Sequence, residues 1–297
     1  MQSIYPVQPF LDYLKFEKRF SKHTIVAYQT DLSNFFDYLH SQYGELALKD
    51  ISHIYIRSWL AGLKDDSMTA KTINRKISTL RSFFKYHVKR GDIVQTPMGK
   101  ITAPKNEKRL PQFVAEKDIA TLFSYVEFEG DWSGKTNRLL LLLLYNTGIR
   151  LSEVINLKES MINDSAKTIK ILGKGNKERL IPVHNDVMNE IQKYRKEKHN
   201  QGLDQNEFLL VDEKNAQLKP RKVYSIAKHY LSLVTTIDKR SPHIFRHSFA
   251  THLMNNGADL NAVKELLGHS SLAATQVYTH NTIDKLKNIH KNAHPKA

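Results

Sequence analysis

Arg150, Lys174, His243, Arg246, His269 and Tyr278 are of residue types, and in places along the chain, that could act together on a phosphodiester. Breaking that bond takes a nucleophile, cations to hold the phosphate oxygens as charge builds on them, and an acid for the departing sugar oxygen. In SPHIFRHSFATHL, Ser241 suits a helix N-cap and Pro242 a first helical position, so His243 and Arg246, at i and i+3, share one helix face. A guanidinium fork fits phosphate oxygens bidentately, and an imidazole can donate a hydrogen bond or move a proton near neutral pH. Taken alone, such a pair is more often an ordinary surface pair.

Upstream, NTGIRLSE places Gly148 at a helix end and Ser152 at the start of the next helix, leaving Arg150 in a tight elbow. Glu153 could hold a catalytic Arg or His, and serves equally well as a first-turn glutamate against the helix dipole. In GKGNKER, Lys174 stands between Gly173 and Gly175, where open backbone lets an ammonium approach a groove and protonate a leaving oxygen; a flexible basic turn is the alternative. In KELLGHSSLAATQVYTH, Gly268 follows a helix, His269 comes next, and a short helix would return Tyr278 toward His269. A phenol of ordinary pKa about 10 needs nearby cations to become a nucleophile. Tyr278 is one of 13 tyrosines, and only the ordered set of partners singles it out.

No compact acidic cluster suits two Mg²⁺ ions, no H-E-x-x-H arrangement suggests zinc, and no cysteine occurs. The sequence therefore predicts side-chain cations, with no metal and no cofactor. The formal net charge of +15 and pI near 9.7 favour a polyanionic partner, nucleic acid first. The longest apolar run, Leu139 to Tyr145, is far short of the roughly 20 residues of a membrane span, and the opening MQSIYPVQPFLDYLKFEKRF does not read as a signal peptide. A cytoplasmic protein with no membrane partner is expected.

The elements that must position these residues are mainly helical. Ile25, Tyr28, Leu32, Phe35, Phe36 and Leu39 form one stripe, and Ile73, Ile77, Leu80, Phe84 and Val88 a second. With shorter amphipathic segments at 10–16 and 54–63 they predict a four-helix domain over 1–90, suited to gripping DNA. Its polar faces carry Lys71, Arg75, Lys76, Arg81, Lys85, Lys89 and Arg90, a phosphate-contacting face or simply a solvated one. Pro97, Gly99, Pro104 and Pro111 mark an extended linker over 91–111. The 112–297 domain reads as mostly helical with a small antiparallel β-sheet: helices over 115–126, 138–146, 186–198, 223–234, 243–255 and 260–267, and strands over 168–172 and 179–183.

Arg150 in TGIRLSE, Lys174 in GKGNKER, His243 and Arg246 in HIFRH, His269 in LLGHSS and Tyr278 in VYTH together resemble the tyrosine recombinase family in order and local spacing. The resemblance covers nearly the whole chain and is closest to the Xer chromosome-dimer resolvases, through the compact length, SPHIFRHSFATHL, LLGHSSLAATQVYTH and the terminal AHPKA. Phe245 departs from the family's usual Leu, a change of packing more than chemistry.

The resemblance implies that Arg150 and Arg246 clamp the scissile phosphate, Lys174 protonates the leaving 5′ oxygen, and His243 assists proton transfer. His269 would be a further phosphate ligand and Tyr278 the nucleophile forming a 3′-phosphotyrosyl link. It also implies partners: a double-stranded DNA recombination site, a homo- or hetero-tetramer with a related recombinase, and a septal DNA translocase. A helix over 282–289, with Ile283, Leu286 and Ile289, would dock on a neighbouring protomer or on its own domain. An integrase or resolvase of a mobile element, a catalytically silent DNA-binding protein and an enzyme whose main task is relaxing supercoiled DNA are the competing readings.

Overall fold

The computed structural model describes residues 5–105, 112–173 and 178–268. The chain divides into two compact units, Met1–Arg109 and Leu110–Ala297. In the first, α1 (Val7–Asp12) runs into a π-helical turn at Tyr13–Glu17, followed by α2 (Lys22–Tyr43), α3 (His53–Asp65) and α4 (Ala70–Arg90). Hydroxyls start three of these helices: Ser21, Ser52 and Thr69 accept from the backbone N–H of Thr24, Ile54 and Thr72. Gly91, at φ 80°, ends α4 in the left-handed region.

The apolar stripes bury as their spacing requires. Leu32, Phe35, Phe36 and Leu39 of α2 join Ile73, Ile77, Leu80 and Phe84 of α4 and Trp59 of α3 in one core, with Phe83 set edge-on to Phe10 and Phe36. The stretch after Gly91 is not extended throughout. Pro97–Lys100 forms a 3-10 turn, and Ile93, Met98 and Ile101 sink into this same core because they are apolar residues among polar ones.

Lys76, expected on the cationic face, is buried. It lies three residues after Ile73 and four before Leu80, on the apolar stripe itself. Its ammonium donates to the buried Asp31 carboxylate at 3.2 Å and sits 5.3 Å from the centre of the Trp59 ring. Asp31 also accepts from Arg75 and, at 2.9 Å, from Thr79. Lys71, Arg75, Arg81, Lys85, Lys89 and Arg90 remain exposed.

The second unit contains α5 (Glu116–Ser124), α6 (Trp132–Thr147), α7 (Leu151–Ile155), β1 (Ile162–Asn163), β2 (Thr168–Leu172), β3 (Glu178–Pro182), α8 (Asn185–Asn200), α9 (Pro220–Val234), α10 (Pro242–Asn255) and α11 (Leu260–Leu267). The strands form an antiparallel sheet in the order β1-β2-β3, with Ile169 opposite Ile181 on its buried face. The Leu139–Tyr145 run is buried along α6, which packs against both α8 and α10. Phe245 is fully buried in the core of this unit, consistent with a packing role. Among the described residues no helix is long and apolar enough to cross a membrane.

Removing Asp31 leaves Lys76 as an uncompensated buried charge. Asp31→Ala is expected to destabilise the first unit by about 3–5 kcal/mol, read as a lower urea midpoint with retained helical circular dichroism before the transition.

Candidate active site

Arg150, His243 and Arg246 fall among the described residues; Lys174, His269, Tyr278 and the 282–289 segment lie outside them. Gly148 ends α6 in the left-handed conformation, φ 59°, and a Cβ there would stand 2.5 Å from Phe249 Cδ1. The chain turns at once into α7, whose N-cap position is Arg150 rather than the expected Ser152. Glu153 takes the capping role, its Oε2 accepting from the Arg150 backbone N–H at 2.7 Å. The same carboxylate accepts from Arg150 Nη1 at 2.8 Å, so it fixes both backbone and guanidinium of the elbow.

A second guanidinium grips Glu153 from the sheet. Arg179, next to the first residue of β3, donates through Nη1 and Nη2 to the two carboxylate oxygens at 3.0 and 2.7 Å and through Nε to the Leu266 carbonyl at 3.0 Å. Arg179 was not among the sequence candidates, yet a signal for it exists. It shares the inward face of β3 with Ile181, and a cation at a core-facing strand position demands a buried partner.

Arg246, on α10, is also buried and donates to the Gly148 carbonyl at 2.6 Å and the Leu267 carbonyl at 2.7 Å. Arg150 Nη2 donates to the Gly268 carbonyl at 3.1 Å. Three successive carbonyls at the end of α11, those of Leu266, Leu267 and Gly268, thus each receive a different arginine. Gly268 adopts φ 65°, and a Cβ on it would come within 3.1 Å of Arg179 Cδ. This packing lies directly before His269 in the chain.

The electrostatics follow from the crowding. Burial alone would push the Glu153 carboxyl up, but hydrogen bonds and charge from Arg179, with the bonds from Arg150, outweigh it and hold the group at about 2. Burial, then the neighbouring Arg150 charge, draws Arg246 down to about 10, still a cation at neutral pH. His243 reaches solvent on the first turn of α10; partial desolvation, then Arg246 and further cations, lower its pKa and favour the neutral imidazole. Each guanidinium has five N–H donors, so Arg150 and Arg246 retain donors beyond those holding protein carbonyls. Among the described residues no group of His, Asp and Glu is arranged to hold a metal ion.

The chain matches the Phage integrase family over residues 112–285 and the Phage integrase N-terminal SAM-like domain over residues 7–91. It is 37% identical over 290 residues to tyrosine recombinase XerC of Staphylococcus epidermidis, covering 98% of this chain and 97% of that protein. It is 36% identical over 292 residues to tyrosine recombinase XerC of Anoxybacillus flavithermus, covering 97% of each. Its fold is similar to that of XerH site-specific recombinase bound to a palindromic difH substrate, with a TM-score of 0.71, 22% identity, and coverage of 95% of this chain and 83% of that one.

Glu153 contributes stability that is fully present above its ordinary value of 4.5 and is lost as pH falls through about 2. The urea-measured stability gap between wild type and Glu153→Gln is expected to approach about 3 kcal/mol near neutrality and to close between those pH values. Gly148→Ala, which meets both the positive φ and the Phe249 ring, is expected to cost about 2 kcal/mol or more in the same measurement.

Proposed function

This chain belongs to the phage integrase family, the tyrosine recombinases, which cut and rejoin DNA. From that premise we propose that it is an Xer-type recombinase in which Arg150 and Arg246 clamp the scissile phosphate and Tyr278 attacks it. The observation that carries this reading is the seating of both guanidiniums on the last carbonyls of α11, with donors to spare, immediately ahead of the segment holding His269 and Tyr278. Simple DNA binding would not require two arginines held this closely beside a buried carboxylate.

In the proposed reaction the Tyr278 oxygen bonds to phosphorus and the bond to the 5′ oxygen breaks, leaving a 3′-phosphotyrosyl link. Lys174 supplies the proton that the 5′ oxygen takes up. His243, held toward its neutral form by desolvation and the neighbouring Arg246 cation, suits proton transfer at the tyrosine or phosphate, and His269 adds a phosphate contact. The phosphotyrosyl link conserves the energy of the broken bond. A 5′ hydroxyl from a second strand then reverses the step without an external energy source.

The first helical unit, its core extending to Ile101, is assigned to gripping the duplex through the exposed cations of α4, with the residues after Ile101 as the connection and 112–297 as the catalytic domain. Two duplexes present four strands to exchange and each chain carries one nucleophile, so the working unit is a tetramer of this chain alone or with a related recombinase. Near-full-length identity to proteins named XerC favours chromosome-dimer resolution in the cytoplasm, with a septal DNA translocase as activator, over service to a mobile element.

Nicked suicide duplexes carrying candidate chromosome-resolution sites test the chemistry without divalent metal. Wild type is expected to form a denaturation-resistant covalent adduct, and Tyr278→Phe to bind the same duplex equally well and form none. An adduct from both proteins would remove Tyr278 as the nucleophile.

A further inference from the structure

The chain enters the second unit through residues 112–115, which form neither helix nor strand. Val114 in that segment is fully buried, so its peptide N–H and C=O both need partners. Both partners come from one helix. The Val114 N–H donates to Ser248 Oγ at 2.8 Å, and the Val114 carbonyl accepts from His252 Nε2 at 2.9 Å. Ser248 and His252 lie two and six residues beyond Arg246 on α10, the helix that also carries His243.

The network is closed around the imidazole. A carbonyl can only accept, so Nε2 carries the proton, and in the neutral ring Nδ1 accepts from the Tyr145 hydroxyl at 3.0 Å. Tyr145 belongs to α6, against which α10 packs, and Phe113 stands edge-on to the His252 ring. Ser248 meanwhile donates its own proton to the Ile244 carbonyl at 2.9 Å. Ser248, His252, Tyr145 and Val114 are all buried, so any shift of α10 along its axis breaks several low-dielectric hydrogen bonds together. Apolar packing alone would tolerate such a slide far better.

We propose that Ser248 and His252 are positioning residues for DNA cleavage: by gripping both backbone polar groups of Val114 they fix α10 along its axis and so set the reach of Arg246 and His243. Neither residue touches the phosphate. The clamp acts through the helix, and it rests on the reading of Arg246 and His243 as phosphate-contacting groups.

Single-turnover cleavage of the nicked duplex at saturating protein, measured beside the dissociation constant for the same DNA, tests the clamp. His252→Ala and Ser248→Ala are expected to leave the dissociation constant nearly unchanged and to slow cleavage, by on the order of 10²-fold for His252→Ala, as displaced catalytic groups do. His252→Gln, whose amide can donate to Val114 and accept from Tyr145, is expected to recover most of the rate. Cleavage by His252→Ala at the wild-type rate, or no recovery in a folded His252→Gln, would overturn the clamp while leaving the phosphotyrosyl reading intact. Wild-type protein that forms no adduct on any site would overturn that reading, and the clamp with it.

Discussion

One buried carboxylate shared by two guanidiniums organises the site. Glu153 joins the elbow after α6 to the sheet through Arg150 and Arg179, and no other described acid touches either arginine. Bringing a carboxylate and guanidiniums out of water costs several kcal/mol per ion, recovered only when geometry is good and the remaining donors are satisfied. Here Arg179 is bidentate and its Nε is also bonded, so the geometry meets that condition. Arg150, Arg179 and Arg246 with a single carboxylate leave a surplus of positive charge, the balance that suits a phosphate gaining negative charge as its bond breaks.

The arginines also determine where the next segment of chain begins. A helix C-terminus presents unsatisfied carbonyls and a partial negative charge, and α11 directs its last three at three cations. Gly148 and Gly268 make this approach feasible, because each ends a helix at positive φ where a Cβ would strike a neighbour. Helix ends, a strand and an elbow are therefore tied by side chain to backbone bonds that do not depend on DNA being present.

Much of this was legible in the sequence where local periodicity governs. The stripes of α2 and α4, the strands flanking GKGNKER, the helix end at Gly148 and the shared helix of His243 and Arg246 follow from spacing and capping chemistry. What escaped depends on distant partners. Lys76 and Arg179 occupy core-facing positions of a helix and a strand, and their acids come from 45 and 26 residues away. Ser248 and His252 read as ordinary polar residues of HSFATHL until Val114, more than 130 residues earlier, is brought beside them. Ser152 was the natural N-cap by residue type, but the cap falls earlier, at Arg150, whose backbone N–H donates to the same Glu153 carboxylate that Arg179 binds from the sheet.

The use of arginine rather than lysine at the centre follows from the same geometry. An ammonium has three donors at one point, so bonding two protein groups leaves little for a ligand. A guanidinium spreads five donors over a rigid plane and can fasten to carbonyls along one edge while presenting another. Arg246 and Arg150 are therefore fixed by the fold itself, and in the proposed reaction little reorganisation would remain for the moment when phosphate charge develops. Preassembly of this kind requires that the helix carrying Arg246 not slide, which is the role proposed for the buried hydrogen bonds from α10 to Val114 and Tyr145.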